Sequence, residues 1–289
     1  MELLLLIPPL LLIFIVFILP LLRYTFLSTY AISVSTGLEA IPNNYANWER
    51  LLNDARFWQD VYQTARFAIF SVSIELIIAI LIALLLNQNF KGRGLIRAIT
   101  LLPWALPTAL MALGWRWIFN SPYGPINQFL NLLNLPNYNL LSNPDVAWFT
   151  TVIADVWKTT PFIAIILLAG LQTIPRDLYE AFYLEGGKPI QSFFRITLPL
   201  LKPYILLALI FRTAQAFGVF DLVQILTSGG PAGSTESLAL YAYQNAMRFL
   251  DFGYSSTIVI ASFVLLLLFI TITFLLISNS KKIMRPLIK

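Results

Sequence analysis

The chain has no cysteine and no histidine, and only 11% of its 289 residues are charged. Without thiols or imidazoles there are no disulfides, no thiolate metal sites, no imidazole general base and no axial haem histidine. The scarcity of charge is equally restrictive, since ordinary soluble domains carry about 25%. A Gly-x-x-x-x-Gly-Lys-Ser/Thr loop is also missing, so nucleotide phosphates are not cradled here by that route. What is abundant is apolar: 58% of residues are hydrophobic and the mean hydropathy is +0.76. These values predict an all-α integral membrane protein, with apolar runs recurring along the whole length and no room for a large soluble domain. The formal charge of +5 is distributed in a way that marks membrane orientation rather than nucleic-acid binding.

Runs of at least about 18 apolar residues cross a hydrocarbon core of about 30 Å. Six such spans are read at about 3–26, 62–87, 95–120, 147–171, 201–226 and 256–278. The connections after the second and fourth spans, with the C-terminal tail (Lys281, Lys282, Arg285, Lys289), hold eleven bases; the other connections hold three. Positively charged short loops stay in the cytoplasm, so both termini are expected there, in a multi-pass protein of the cytoplasmic (inner) membrane. Glu2 precedes the first span and no basic leader region does, which favours a retained helix over a cleaved signal. Pro8, Pro9 and Pro20 predict kinks within it. The external segment 37–60 mixes turn formers with Trp48 and Trp58. It reads as a surface loop with interfacial anchors or as a docking surface for an external partner.

The connection from about 172 to 203 is the most distinctive. Pro175 suits the opening of a helix, Asp177 and Glu180 suit its first turns, and Gly186-Gly187 permits a sharp exit. Tyr179, Phe182 and Tyr183 form an aromatic stripe on that helix. A helix resting on the bilayer surface is one reading, but Asp177, Glu180 and Glu185 on its polar side disfavour an anionic membrane. The other is a handle by which a cytoplasmic subunit pushes on the bundle.

These residues carry a family resemblance. Glu180-Ala181, Gly186, Ile196, Leu198 and Pro199 match the cytoplasmic Glu-Ala-Ala…Gly…Ile-x-Leu-Pro signature of permease subunits of binding-protein-dependent ABC importers, in the class that carries sugars, glycerol-phosphate esters and osmolytes. Phe182 stands where a second Ala is usual, and Glu185 where Asp is usual. Gly92-Arg93-Gly94, Leu102 to Pro107, Gly124 to Asn127, Trp157 to Phe162 and Leu226 to Pro231 add further matches in the same order. The resemblance covers about residues 57–278. It implies a type I ABC importer permease fold of six transmembrane helices with a cytoplasmic coupling helix. Tyr179, Glu180, Ala181, Phe182, Glu185, Gly186 and Gly187 would then contact an ATP-binding subunit. The implied domains are an N-terminal helix with its external loop (1–56), the permease domain with its coupling loop (57–278) and a basic tail (279–289). The implied partners are a second, related permease in a heterodimer, two ATP-binding subunits, an extracytoplasmic solute-binding protein and membrane lipid, with no nucleic acid. No cofactor is expected in this chain and no enzymatic activity of its own: ATP and Mg²⁺ belong to the partner.

Charged groups inside spans are expensive and are functional candidates by default. Here they are Arg66, Glu75, Arg116, Asp155, Lys158, Arg212 and Asp221, with Gln215. Arg66 and Arg116 are expected to snorkel, and Glu75 to make an interhelical hydrogen bond. Asp155 and Lys158, three apart, either neutralise one another or face a solute. In the fifth span Ala214, Phe217, Gly218 and Asp221 fall at i, i+3, i+4 and i+7, a single stripe suiting either close helix packing or a polyol. Permeases similar to this one place sugar between stretches corresponding to Lys158, Thr159 and Phe162 and to Phe217, Gly218, Phe220 and Asp221. These seven are the expected solute-binding residues. The rival readings are an ion-coupled secondary transporter of a polar solute, which leaves the handle unexplained, and a membrane-embedded enzyme, which lacks convergent catalytic groups.

Overall fold

The computed structural model describes residues 2–279, so the basic tail expected at 279–289 lies, beyond Asn279, outside the described residues. Proline and glycine decide where its helices stop. The first apolar run is α1 (Glu2–Ile13), a wider π turn (Phe14–Ile18) and α2 (Leu19–Leu27). Pro8, Pro9 and Pro20 withhold amide donors along it, and the run bears out the irregularity they predict. Then come β1 (Tyr30–Ala31) and β2 (Ile41–Pro42), an antiparallel pair with Tyr30 opposite Pro42, and α3 (Ala46–Leu52).

Two long helices frame the next stretch. α4 (Ala55–Asn87) is followed by α5 (Arg93–Ala105), α6 (Thr108–Ile118), α7 (Pro125–Leu132) and α8 (Pro144–Gln172). α8 starts cleanly because Asn143 Oδ1 accepts from the amides of Asp145 and Val146, with Pro144 at the first helical position. The third span, expected as one helix over 95–120, is broken: α5 and α6 meet at 87°. Pro107 drives Leu106 to an extended backbone (ψ 137°), which no helix can absorb.

After α8 come α9 (Arg176–Leu184), α10 (Pro189–Ser192), a second π turn (Phe193–Thr197), α11 (Leu198–Phe217), α12 (Asp221–Leu226), α13 (Leu238–Met247) and α14 (Phe252–Asn279). The fifth span is also interrupted, between Phe217 and Asp221. Five helical runs among the described residues are long and apolar enough to cross a membrane, or six when α5 and α6 count as one bent span.

The chain forms two compact units. One comprises the residues up to 64 together with 236–268. It packs Leu51, Phe57, Leu238, Tyr241, Tyr254 and Ile258 in its core, and two arginines pin its outer rim: Arg50 to Asp251 at 2.7 Å and Arg56 to Glu236. The other comprises 65–235 and 269–279. Its centre is α8, which packs against α5, α11 and α12 and buries Ala154, Ile163, Ala164 and Leu167 completely.

Candidate functional site

In the second unit both interrupted spans open onto one cleft of about 570 Å³. α5 and α6 supply Trp104 and Thr108, α8 supplies Asp155, Lys158 and Thr159, and α11 with α12 supplies Arg212, Gln215, Gly218, Phe220 and Asp221. Backbone that leaves a helix at membrane depth is tolerated only where protein or a water-filled cavity satisfies it. Lys158 does so here: its Nζ donates to the carbonyls of Leu106 at 2.6 Å and Trp104 at 3.3 Å, at the α5/α6 break. The mutual neutralisation of Lys158 and Asp155 considered from their spacing is therefore not what forms. Asp155 pairs with Arg212.

Arg212 is the hub. It is 2% exposed, and its Nε and Nη2 reach Glu75 Oε2 and Oε1 at 2.7 and 2.8 Å, a bidentate pair. Nη2 also donates to Asp155 Oδ2 at 3.0 Å and Nη1 to Gln215 Oε1 at 2.9 Å. Glu75, fully buried on α4, accepts a further bond from Thr159 Oγ1 at 2.7 Å, the interhelical bonding expected of it. One guanidinium thus joins α4, α8 and α11 beneath the cleft floor. With Asp221 at the rim, the lining is balanced, Asp155 and Asp221 against Lys158 and Arg212, and Glu75 lies buried beneath it.

Of the seven residues expected to meet a solute, five line this cleft: Lys158, Thr159, Gly218, Phe220 and Asp221. Phe217 does not; it is buried with its ring 5.0 Å from Phe269. The stripe expected from Ala214 through Asp221 fails for the same reason, because the helix ends at Phe217 and Asp221 starts a new one. Phe162 sits behind the wall, stacked on Trp104 at 5.5 Å, and Trp104 retains 44% exposure. Trp104 and Thr108 were not singled out, although Pro103 and Pro107 beside them signalled an interruption. Of the two arginines expected to snorkel, Arg66 lies 3.9 Å over the Trp148 ring and Arg116 donates to Ile225 O at 3.1 Å.

The expected handle forms α9. Its two tyrosines tie it to the chain that follows: Tyr179 OH bonds Thr197 Oγ1 at 2.8 Å, and Tyr183, though 45% exposed, bonds Ser192 Oγ through its OH at 3.1 Å. Gly186 adopts φ +82°, and the amides of Gly186 and Gly187 return to Tyr183 O and Phe182 O at 3.0 Å, a left-handed helix stop. A Cβ on Gly187 would lie 2.1 Å from the Phe182 ring, so the unusual Phe and the second glycine fit as a pair. Glu180, Ala181, Glu185 and Gly186 are exposed, while Tyr179, Phe182 and Gly187 are half-buried. Leu184 and Ile190 stand out at 89% and 74% exposure, an apolar tip beside an acidic edge.

Comparison with known proteins identifies the family and the fold. The chain is 44% identical over 260 residues to the trehalose/maltose transport system permease protein MalF of Thermococcus litoralis, covering 89% of this chain and 88% of that one. It is 38% identical to the sulfoquinovosyl glycerol transport system permease protein SmoG of Agrobacterium fabrum, over 92% and 86% of the two chains. A chain of the crystal structure of a bacterial ABC transporter involved in the import of the acidic polysaccharide alginate superposes with a TM-score of 0.81 over 95% of this chain and 94% of that one, at 20% identity. That structure has the same fold. Residues 75–284 match the family described as the binding-protein-dependent transport system inner membrane component, and the chain belongs to that family.

Proposed function

We propose that this chain is the transmembrane subunit of an ATP-driven importer that moves a sugar or sugar-like compatible solute, such as a disaccharide or glycosyl-polyol, into the cytoplasm by alternating access. The observation that carries the reading is the joint opening of two interrupted spans onto one cleft, in a chain that also presents a rigid helix with an exposed apolar tip. The transport systems named for its relatives MalF and SmoG handle trehalose, maltose and sulfoquinovosyl glycerol. Trp104 offers an aromatic face to sugar C–H groups, and Asp221, Thr159 and Gln215 offer acceptors to hydroxyls. A lining whose charges balance suits a neutral polyhydroxyl solute. A second permease completes the pathway, an external binding protein delivers the solute, and two ATP-binding subunits hold ATP and Mg²⁺ and press on α9 from the cytoplasm, where both termini lie. Such transmission needs a stiff contact and a bundle with two discrete states.

Uptake into proteoliposomes containing the assembled importer tests this. Transport requires luminal ATP and the binding protein. Uptake driven by a proton or sodium gradient alone would instead establish an ion-coupled transporter. Two variants separate the parts. Gly186→Val, forced into a backbone that costs a branched residue about 1–3 kcal/mol, abolishes uptake and leaves solute binding intact. Asp221→Ala weakens solute affinity about tenfold and leaves coupling to ATP hydrolysis unchanged.

A further inference from the structure

A second cavity, of about 550 Å³, lies where α9 begins; Tyr179 of the expected coupling residues is in its wall, but the recess itself has no role in the function proposed above. Its wall carries three guanidiniums, Arg93 and Arg97 from the first turns of α5 and Arg176 from the first residue of α9. Between them lie the amides of Gln88, Asn89 and Gln172, and among the described residues that line it none is acidic. Arg93 donates to Asn89 Oδ1 at 2.9 Å, and Arg97 Nη2 donates to Leu86 O at 2.8 Å, which fixes both heads. Arg97 Nε is buried with no hydrogen-bond partner among the described residues. Amides and carbonyls orient a guanidinium but do not neutralise it. Three such charges converging on a polar recess, one with an unused buried donor, make an anion site, and the guanidinium fork matches a phosphate group in particular. The volume falls in the range of small-molecule pockets, about 300–1,000 Å³, which suits a phosphate carrying an organic body rather than a bare ion.

We propose that this cleft binds a phosphate-bearing ligand, either a phosphorylated small metabolite or an anionic phospholipid headgroup, and that its occupancy ties the start of α9 to α5. If α9 takes the push of an ATPase, the ligand sets how firmly that push is transmitted. That consequence rests on the importer reading, whereas the binding does not.

The full chain in nanodiscs of neutral lipid is titrated calorimetrically with glucose 6-phosphate and, in parallel, with glucose; phosphatidylglycerol retained from mixed lipid is measured by native mass spectrometry. Glucose 6-phosphate binds and glucose does not, and Arg97→Gln and Arg176→Gln each weaken binding at least about tenfold. Arg176→Gln keeps the wild-type melting temperature, because its side chain is exposed, so its loss of binding is not a loss of fold. Retention of phosphatidylglycerol that disappears in the same variants, without glucose 6-phosphate binding, identifies the lipid as the source of the phosphate. Binding of neither probe, equal binding of glucose, or unchanged binding in both variants overturns the proposal. An acidic segment of the ATPase subunit crosslinked within the cleft does so too. No transport is measured, so failure here is distinguishable from failure of the importer reading.

Discussion

Two arginine clusters, one in each compact unit, are built from the same chemistry and do different work. Arg212 is 2% exposed and its partner Glu75 0%, with Asp155 completing the group across three helices. Arg56, 41% exposed, makes an equally good fork on Glu236, at 3.0 and 2.8 Å, with Gln244 Oε1 at 2.6 Å. Geometry does not distinguish them; solvent does. Charge taken wholly out of water is held only by its partners, and removing one partner exposes the full desolvation cost of the rest. Charge at a wet rim can be rehydrated when its partner goes. The inner cluster is therefore a joint on which the cleft depends, and the outer one is a fastener.

The comparison is broken most directly at Arg212. Arg212→Leu leaves Glu75 and Asp155 buried without a cation and costs about 3–5 kcal/mol; membrane yield and melting temperature fall together, and wild-type melting would remove the joint. Arg56→Gln vacates a 41% exposed position through which water reaches Glu236, itself 6% exposed, and costs about 1–3 kcal/mol. A loss as large as that of Arg212→Leu would erase the distinction between the clusters.

Acid titration sharpens the comparison with the smallest effect. Asp54, in the same unit as Arg56, accepts from Tyr241 OH at 2.5 Å and from Tyr254 OH. Burial works against its charged form, but these hydroxyls and the amides of Phe57 and Arg56 hold its carboxyl below the usual carboxylate range. A depressed carboxylate adds stability that is present above its unfolded value near 3.8 and is lost as pH falls through its folded value. Burial first, then the bond to Asp54, pushes Tyr241 up to about 12. Its raised value favours the neutral phenol, so that contribution holds below about pH 10 and fades toward pH 12. The contribution of these two groups to melting temperature is thus constant from pH 5 to 9 and declines at both ends, and Asp54→Asn flattens the acid limb. An acid limb unchanged in Asp54→Asn would assign it to other carboxylates.

Much of this architecture is legible in the sequence. Length and polarity of the apolar runs mark the spans because lipid offers no other partner to a peptide group, and the spacing of Pro175, Glu180 and Gly186 marks α9 because its stop and start are local. The interruption at Leu106-Pro107 is half-legible: Pro103 and Pro107 disfavour a continuous helix, but the apolar run over 95–120 is unbroken and reads as one span. The break after Phe217 carried a weaker signal, a lone Gly218, and it undid the stripe. The pairing of Arg212 with Glu75 and Asp155 had no signal at all, since their separations of 137 and 57 residues follow no helical period.

The sequence by itself determined that the chain is a membrane bundle with a projecting helix, because hydropathy, proline and glycine act over a few residues. Only the tertiary structure decided which charges meet and where the cleft opens, because both depend on how separate helices pack. Lys158 shows the division plainly: its neighbours in sequence offered Asp155 as a partner, and the fold gave it the unpaired carbonyls of a broken helix instead.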